Sequence, residues 1–597
     1  MGRASSVVAS SRELHSADAA SKSLARNGSH KHHVLTVALE DYYHAAAFRP
    51  WIREETWYRF EDRLAQSTRL ALDMLDRCEA HATFFVDSRT AQSAPNLVRE
   101  VAGRGHEIAC RGDHRGPPNE LGPERFREEA MRCRDQLEEV VGCPVLGFRL
   151  GSDSLGPQEL WVLDVLAECG YLYDSSIGPA LGINTAKVLR SYHRHRAQLS
   201  HRLFQEVPVS PLAIFGMEVP VASGSLRHLP TAWVQNAIQH WHRHNSDAYV
   251  MYFRTWELDP DQPRINAGAM AARIMHYRSL DRMPALLEKV LASYRFTSVA
   301  AHLGLEPARM RSAGDGSEGW EHRVSLAGKK ADLIPVVERL KAAAPPMPVT
   351  VVVPCFNESQ SLRYLSNTLQ SVASSFESEY SFTFLFVDDG STDNTWSLLQ
   401  ELFGSRSDCR LVRHERNQGL ARTIETGIRH AETSVVCSMD CDCTYDPHEL
   451  GRMIPLLANG VDLVTASPYH PQGSVRNVSS WRIFLSKSLS RLYRVILRQK
   501  LHTYTSCFRV YRRETAMSIS VERGGFFGVT EMLGRLDLEG YRIVECPATL
   551  DVRMLGHSKM RILLTIVGHL GLLALFVGVR FGIGRPRRST VQRTANE

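Results

Sequence analysis

The chain lacks most of the features that would assign it at a glance. Its twelve cysteines contain no C-x-x-C pair, and the one close pair is Cys441 and Cys443, a pattern of buried free thiols in a reducing compartment. The first thirty-odd residues are rich in Ser, Ala and Arg and hold no apolar core of the kind a secretory signal needs, so 1–33 read as a disordered tail. A net charge of +6 over 597 residues is too small for a nucleic-acid binder, and no nucleic-acid partner is expected. No short repeat recurs. Long apolar runs are absent except at 562–579, which is followed by Arg580 and the basic cluster Arg585, Arg587 and Arg588. That run sits near the lower length limit for a bilayer span and contains Thr565 and His569. It reads either as a buried core helix or as a membrane-inserted or interfacial helix, the second being favoured by the basic residues at both ends.

What is present is an alternation of short apolar runs and helical patterns. At this length two or three domains are expected. From 34 to about 300, strands at 34–39 and 82–86 alternate with helices at 63–78 and 95–104, the signature of parallel strands with crossover helices. Residues 305–346, Gly/Ser- and Ala/Pro-rich with a helix expected at 330–343, read as a linker. A second strand–helix series fills 347–560, with strands at 350–354, 382–387 and 435–439. The hydrophobic helix (561–583) and a basic tail (584–597) follow.

Three strands of the second series end in acidic or amide groups: VVVPCFNE with Pro354, Asn357 and Glu358, FVDDGSTD with Asp388, Asp389 and Asp393, and SMDCDCTYDP with Asp440 and Asp442. Ligands of open parallel sheets bind at the carboxyl ends of strands. Carboxylates gathered there repel unless a cation or hydrogen-bond donors neutralise them. A hard divalent cation with a pyrophosphate suits them, because Mg2+ or Mn2+ accepts carboxylate and phosphate oxygens together. In D-x-D, alternate side chains of an extended segment share one face.

VVVPCFNE, VDDGSTDNT, NQGLARTIETGI and MDCDCTYDP, in order and correctly spaced, resemble family 2 glycosyltransferases of the GT-A fold. SCFRVYRRE and VRMLGHSKM resemble, within them, the dolichyl- or polyprenyl-phosphate sugar transferases. The resemblance implies an inverting, metal-dependent transfer from a nucleotide diphosphate sugar. It implies that Pro354, Phe356, Glu358, Asp388 and Asp389 hold the nucleotide sugar and that Asp440 and Asp442 hold Mg2+ or Mn2+ and the diphosphate. Arg509, Arg553, Ser558 and Lys559 would meet phosphate oxygens of donor or acceptor, and Glu531 would sit near the acceptor. Arg suits bidentate phosphate contact and Lys a point-charge contact. Where many relatives carry an Asp, this chain has Thr503.

LTVALEDYYH, ATFFV, RGHEIA, GYLYDSSI, EVPVS and WELDPDQPR resemble a polysaccharide deacetylase of the NodB-homology type over 34–304. That family holds a divalent metal on one Asp and two His. Asp41 fits the carboxylate and Glu40 the catalytic base, but Arg111 and Arg115 stand at the two His positions. Arg149 is kept in GFRLGSDS, and Arg254 replaces a later His. A guanidinium has no lone pair for a metal. Two arginines paired with Asp41, no zinc, and an inactive domain are therefore expected, with a working deacetylase or an anion-binding pocket as the alternatives.

The expected fold class is thus α/β: a distorted (β/α) barrel of deacetylase type, then a GT-A Rossmann-like domain with a C-terminal hydrophobic helix. The expected activity is sugar transfer to a polyprenyl phosphate or a surface glycan, with membrane lipid as a partner, at the cytoplasmic face of a bacterial inner membrane. A bifunctional deacetylating enzyme and a non-catalytic glycan-binding scaffold are the rivals.

Overall fold

The computed structural model describes residues 32–152, 155–178, 204–214, 217–219, 226–305, 345–522, 525–556 and 562–581; for 213–214, 217–219 and 562–564 it describes the backbone alone. The helix expected at 330–343, the tails 1–31 and 582–597, and Ser558 and Lys559 lie outside the described residues. The chain divides into two compact units. The first takes Met1–Tyr42, Asp62–Gln262 and His276–Asp332, and the second Tyr43–Glu61, Pro263–Met275 and Leu333–Glu597.

In the first unit, β1 (His33–Ala38), β2 (Thr83–Val86), β3 (Glu107–Arg111), β4 (Gly147–Arg149), β5 (Tyr173–Asp174) and β6 (Gln205–Glu206) lie side by side in parallel. A ribbon of β7 (Leu212–Ile214) and β8 (Met217–Val219) stands apart. β9 (Val250–Arg254) and β10 (Phe296–Thr297) both pair with β1 in parallel, which curls the sheet. β1 is buried along its whole length, as expected of a parallel strand covered on both faces. Helix Leu64–Arg77 buries Leu64, Thr68, Ala71, Leu72 and Leu75, one stripe at helical spacing.

In the second unit, β11 (Met347–Cys355), β12 (Tyr380–Asp388), β13 (Cys409–Arg413) and β14 (Val435–Ser438) are parallel. β15 (Leu463–Ser467), the short β16 (Ser474–Val475), β17 (Arg509–Arg512), β18 (Ile543–Pro547) and β19 (Thr549–Leu550) follow. The main sheet runs β13-β12-β11-β14-β17-β15-β18, and β17 is antiparallel to both neighbours. Helix Leu420–His430 lies tight on this sheet: a Cβ on Gly427 would fall 2.2 Å from a methyl of Val352. That contact excludes any larger residue unless strand or helix moves.

Both fold classes are as expected, and the second unit also takes in two segments from the first strand–helix series, 43–61 and 263–275. Phe60 stacks edge-on against Tyr364 at 5.1 Å, and Asn367 donates to the carbonyls of Arg59 and Phe60. Asn266 donates its N–H to Met554 O at 2.7 Å. These are long-range contacts, invisible to hydrophobic periodicity.

The hydrophobic run forms helix Ile562–Arg580, whose Leu572, Leu573 and Phe576 are buried in the core of the second unit. Among the described residues no helix is long and apolar enough to cross a membrane.

Candidate functional site

The parallel registers bring the acidic strand ends of the second unit to one rim. Cys355 of β11 lies opposite Asp388 of β12, and Val352 opposite Ser438 of β14. Pro354 is a buried member of β11, in register with Val387, and Phe356 sits half-buried just beyond the strand. Asn357 turns the chain at φ +53° and its amide oxygen accepts from the N–H groups of Thr392 and Asp393, tying the first strand end to the second. Asp388 is fully buried, takes the N–H of Ser391, and lies 3.1 Å from the Arg413 guanidinium. Asp389 accepts from the N–H groups of Gln418 and Gly419 and from His414, so it holds the loop that starts helix Leu420–His430.

The D-x-D pair is the electrostatic centre of the rim. Asp442 meets Arg553 Nε at 2.6 Å, and the same guanidinium grips both oxygens of Glu358 at 3.1 Å. Asp440 accepts from the Cys507 thiol at 2.8 Å. Burial and then the charge of Asp442 push the Asp440 carboxyl up to about 7. Asp440 also lines a cavity of about 220 Å³, with Tyr445, Thr503, Cys507 and Phe526 among its walls and Ser486, Thr565 and His569 at its helical side.

The donor set is thus hard oxygen: two carboxylates on one loop, one of them hard to keep ionised without a nearby cation. Mg2+ or Mn2+ fits such a set when phosphate oxygens complete it. Among the described residues no group of three or more His, Cys, Asp or Glu is placed to hold a metal by itself.

Several expected residues stand elsewhere than the motif suggested. Arg509 is fully buried and donates to the carbonyls of Val529 and Tyr504, so it braces the loop before β17 rather than facing phosphate. Glu531 is also fully buried, 2.7 Å from Arg535 one helical turn on, and is not among the cavity walls. Arg553 reaches the site but is taken up by two carboxylates. Cys507 was missed: it lies two residues before Arg509 in SCFRVYRRE, on the stretch that delivers it to Asp440. Thr503 bonds Ser467 and leaves no carboxylate at that wall.

In the first unit the sequence expectation needs a correction. Three arginines do converge at the carboxyl ends of the strands, but on Glu40, not on Asp41. Glu40 Oε1 lies 2.8 Å from Arg111 and 2.6 Å from Arg115, and Oε2 lies 2.9 Å from Arg254. Arg115 also reaches Asp87 at 2.5 Å. Arg149 donates to Ser175 and lies over the rings of Phe85 and Tyr252 at 4.2 and 4.5 Å. Asp41 accepts the N–H groups of Tyr42 and Arg63, and burial pushes its carboxyl up to about 7. Asp41 is engaged by these main-chain N–H groups, while Glu40 meets the arginines.

A seven-stranded sheet with an inserted antiparallel strand and a D-x-D rim defines a glycosyltransferase of the GT-A class. The description "Glycosyl transferase family 2" matches residues 350–519, "Polysaccharide deacetylase" 53–172, and "Domain of unknown function (DUF3473)" 175–303. A polyprenol monophosphomannose synthase from Mycolicibacterium smegmatis is 32% identical over 218 residues, 35% of this chain and 80% of that protein. A dolichol-phosphate mannosyltransferase from Pyrococcus furiosus is 28% identical over 36% of this chain and 60% of its own length. The crystal structure of glucosyl-3-phosphoglycerate synthase from Mycobacterium tuberculosis, in complex with Mn2+, UDP-glucose and phosphoglyceric acid, is 20% identical, with a TM-score of 0.30 over 39% of this chain and 80% of that one. The chain belongs to glycosyltransferase family 2 through its C-terminal half, fused behind a region of polysaccharide deacetylase homology.

Proposed function

We propose that the second unit transfers a sugar from a nucleotide diphosphate sugar to a polyprenyl phosphate. The observation that carries this reading is the convergence of Glu358, Asp388, Asp440 and Asp442 on one rim beside a cavity. The names of the two curated relatives, both mannosyl transferases to a polyprenol-type phosphate, support the acceptor class.

Asp388 and the Pro354–Glu358 turn hold the nucleoside. Asp440 and Asp442 would hold Mg2+ or Mn2+, which when bound neutralises the departing diphosphate. Arg553, held between Asp442 and Glu358, is placed to exchange one carboxylate for a donor phosphate oxygen, a bidentate contact that a guanidinium suits. A phosphate oxygen of the acceptor then forms the bond to the anomeric carbon while the bond to the diphosphate oxygen breaks, with inversion. The nucleophile is already anionic, so stabilising the leaving group matters more than a general base.

The enzyme works at the cytoplasmic face of a bacterial membrane, where its lipid acceptor is found. The first unit does not hydrolyse N-acetyl groups: Glu40, at the position of the catalytic base, is held by three guanidinium groups. The test is a screen of GDP- and UDP-sugars against polyprenyl phosphate and against polysaccharide, in Mg2+ and in Mn2+. A glycosylated lipid phosphate is the expected product. Transfer to polysaccharide alone would overturn the acceptor, and no transfer from any donor would overturn the activity.

A further inference from the structure

Nine of the twenty exposed large hydrophobic side chains among the described residues fall on two helices of the second unit, Ser480–Ile496 and Ile562–Arg580, and Phe581 directly follows the second. The first helix has three faces. Ser490 and Tyr493 point inward, and Tyr493 bonds His569 of the second helix at 2.9 Å. Trp481, Phe484, Leu485, Leu492 and Val495 form an outward stripe at helical spacing, with Phe484 67% and Val495 76% exposed. Beside it runs a basic stripe, Lys487, Arg491, Arg494 and Arg498, and no acidic residue occurs from Ser480 to Lys500.

The second helix is built the same way. One face is fixed in the core through Leu572, Leu573 and Phe576, while Val567 and Leu570 are 67% and 54% exposed and Phe581, just past the helix end, is 73% exposed. A surface helix normally turns its apolar stripe inward and its charge to water. Here both helices already have an inward stripe and carry a second one outside. Contiguous exposed apolar surface marks an interaction site. The basic stripe selects an anionic partner, and apolar residues flanked by Lys and Arg are the pattern of helices that lie in a bilayer interface.

We propose that the outer faces of these two helices dock in the plane of an anionic lipid bilayer. The same helices supply Ser486, Thr565 and His569 to the cavity that contains Asp440, so docking sets that cavity beside the lipid headgroups. The choice of a lipid acceptor rests on the transferase reading; the docking itself does not.

The test is co-sedimentation of the full chain with vesicles of phosphatidylglycerol and phosphatidylcholine, and of phosphatidylcholine alone. Wild type sediments with the anionic vesicles, less so as salt rises. Phe484→Glu with Val495→Glu, and separately Lys487→Gln with Arg491→Gln and Arg494→Gln, each weaken that binding at least tenfold. All these positions are exposed, so unchanged melting temperatures are expected alongside. Wild type that ignores anionic vesicles, or variants that bind them as wild type does, would overturn the proposal. So would variants that dissociate a dimer in light scattering while vesicle binding is unchanged, which would assign the face to a second copy of the chain. Transfer to a short, water-soluble polyprenyl phosphate separates the two readings. If wild type sediments as expected but transfers nothing, the transferase reading fails and the docking surface stands.

Discussion

Replacing Glu40 by glutamine tests whether the first unit is built around an ion cluster where a hydrolase would keep its catalytic base. Glu40 is 2% exposed and lies within 2.9 Å of three guanidinium groups that are themselves 1–6% exposed. Arg115 also pairs with Asp87. Glutamine keeps the shape and removes the negative charge that the three buried cations share. Breaking a buried pair in this way costs about 3–5 kcal/mol. In a unit of roughly 150–250 residues, 1 kcal/mol shifts the melting temperature by about 2–4 °C, so the first unit should melt about 6–20 °C lower. Calorimetry of the full chain reads this directly. Adding Arg111→Met to the Glu40→Gln chain should recover part of the loss, because one uncompensated cation is gone. A hydrolase that uses this acid only in turnover would lose activity and keep its fold. A Glu40→Gln chain melting within about 2 °C of wild type would mean that the ion cluster does not hold the first unit together.

Arg553→Ala removes the cation between Asp442 and Glu358, and kcat/KM for sugar transfer should fall about a hundredfold; an unchanged value would remove Arg553 from the donor site. His276 stacks on Trp256 at 4.5 Å and bonds Gln262, and burial pushes its ring from 6.5 down to about 3. Only the unfolded chain therefore takes up this proton. Stability from this group is complete above pH 6.5 and is lost as the pH falls towards about 3. Urea midpoints should decline on acidification, less steeply in His276→Gln, and parallel declines would assign the effect to other groups. Metal analysis of the full chain after dialysis should find no zinc bound through Asp41; stoichiometric zinc lost in Asp41→Ala would contradict the account of the first unit.

Much of the architecture was legible because local signals agreed with it. The apolar runs ending in Glu358, Asp388 and Asp440 became parallel strands with their acids on one rim, since β-period and strand-end chemistry point the same way. What the sequence did not reveal was set by tertiary packing. No local pattern says that 43–61 packs with the second unit, which depends on pairs such as Arg59 and Asp446, 387 residues apart. The motif containing Arg509 was recognised, but not that its side chain turns inward to main-chain carbonyls while Cys507 takes the place beside Asp440. Likewise, Arg111, Arg115 and Arg254 were singled out, yet sequence could not choose between adjacent acids, and the structure chose Glu40. The run at 562–579 left two readings open, because hydropathy does not reveal that one face meets Tyr493 and the core.

We attribute sugar transfer to the D-x-D rim. The most direct measurement compares transfer from the donor found in the screen to polyprenyl phosphate by wild type and by the Asp440→Ala, Asp442→Ala double variant, with folding checked by melting. Loss of transfer by at least about a hundredfold, in a protein that still folds, is the predicted result. Transfer at the wild-type rate would contradict the account.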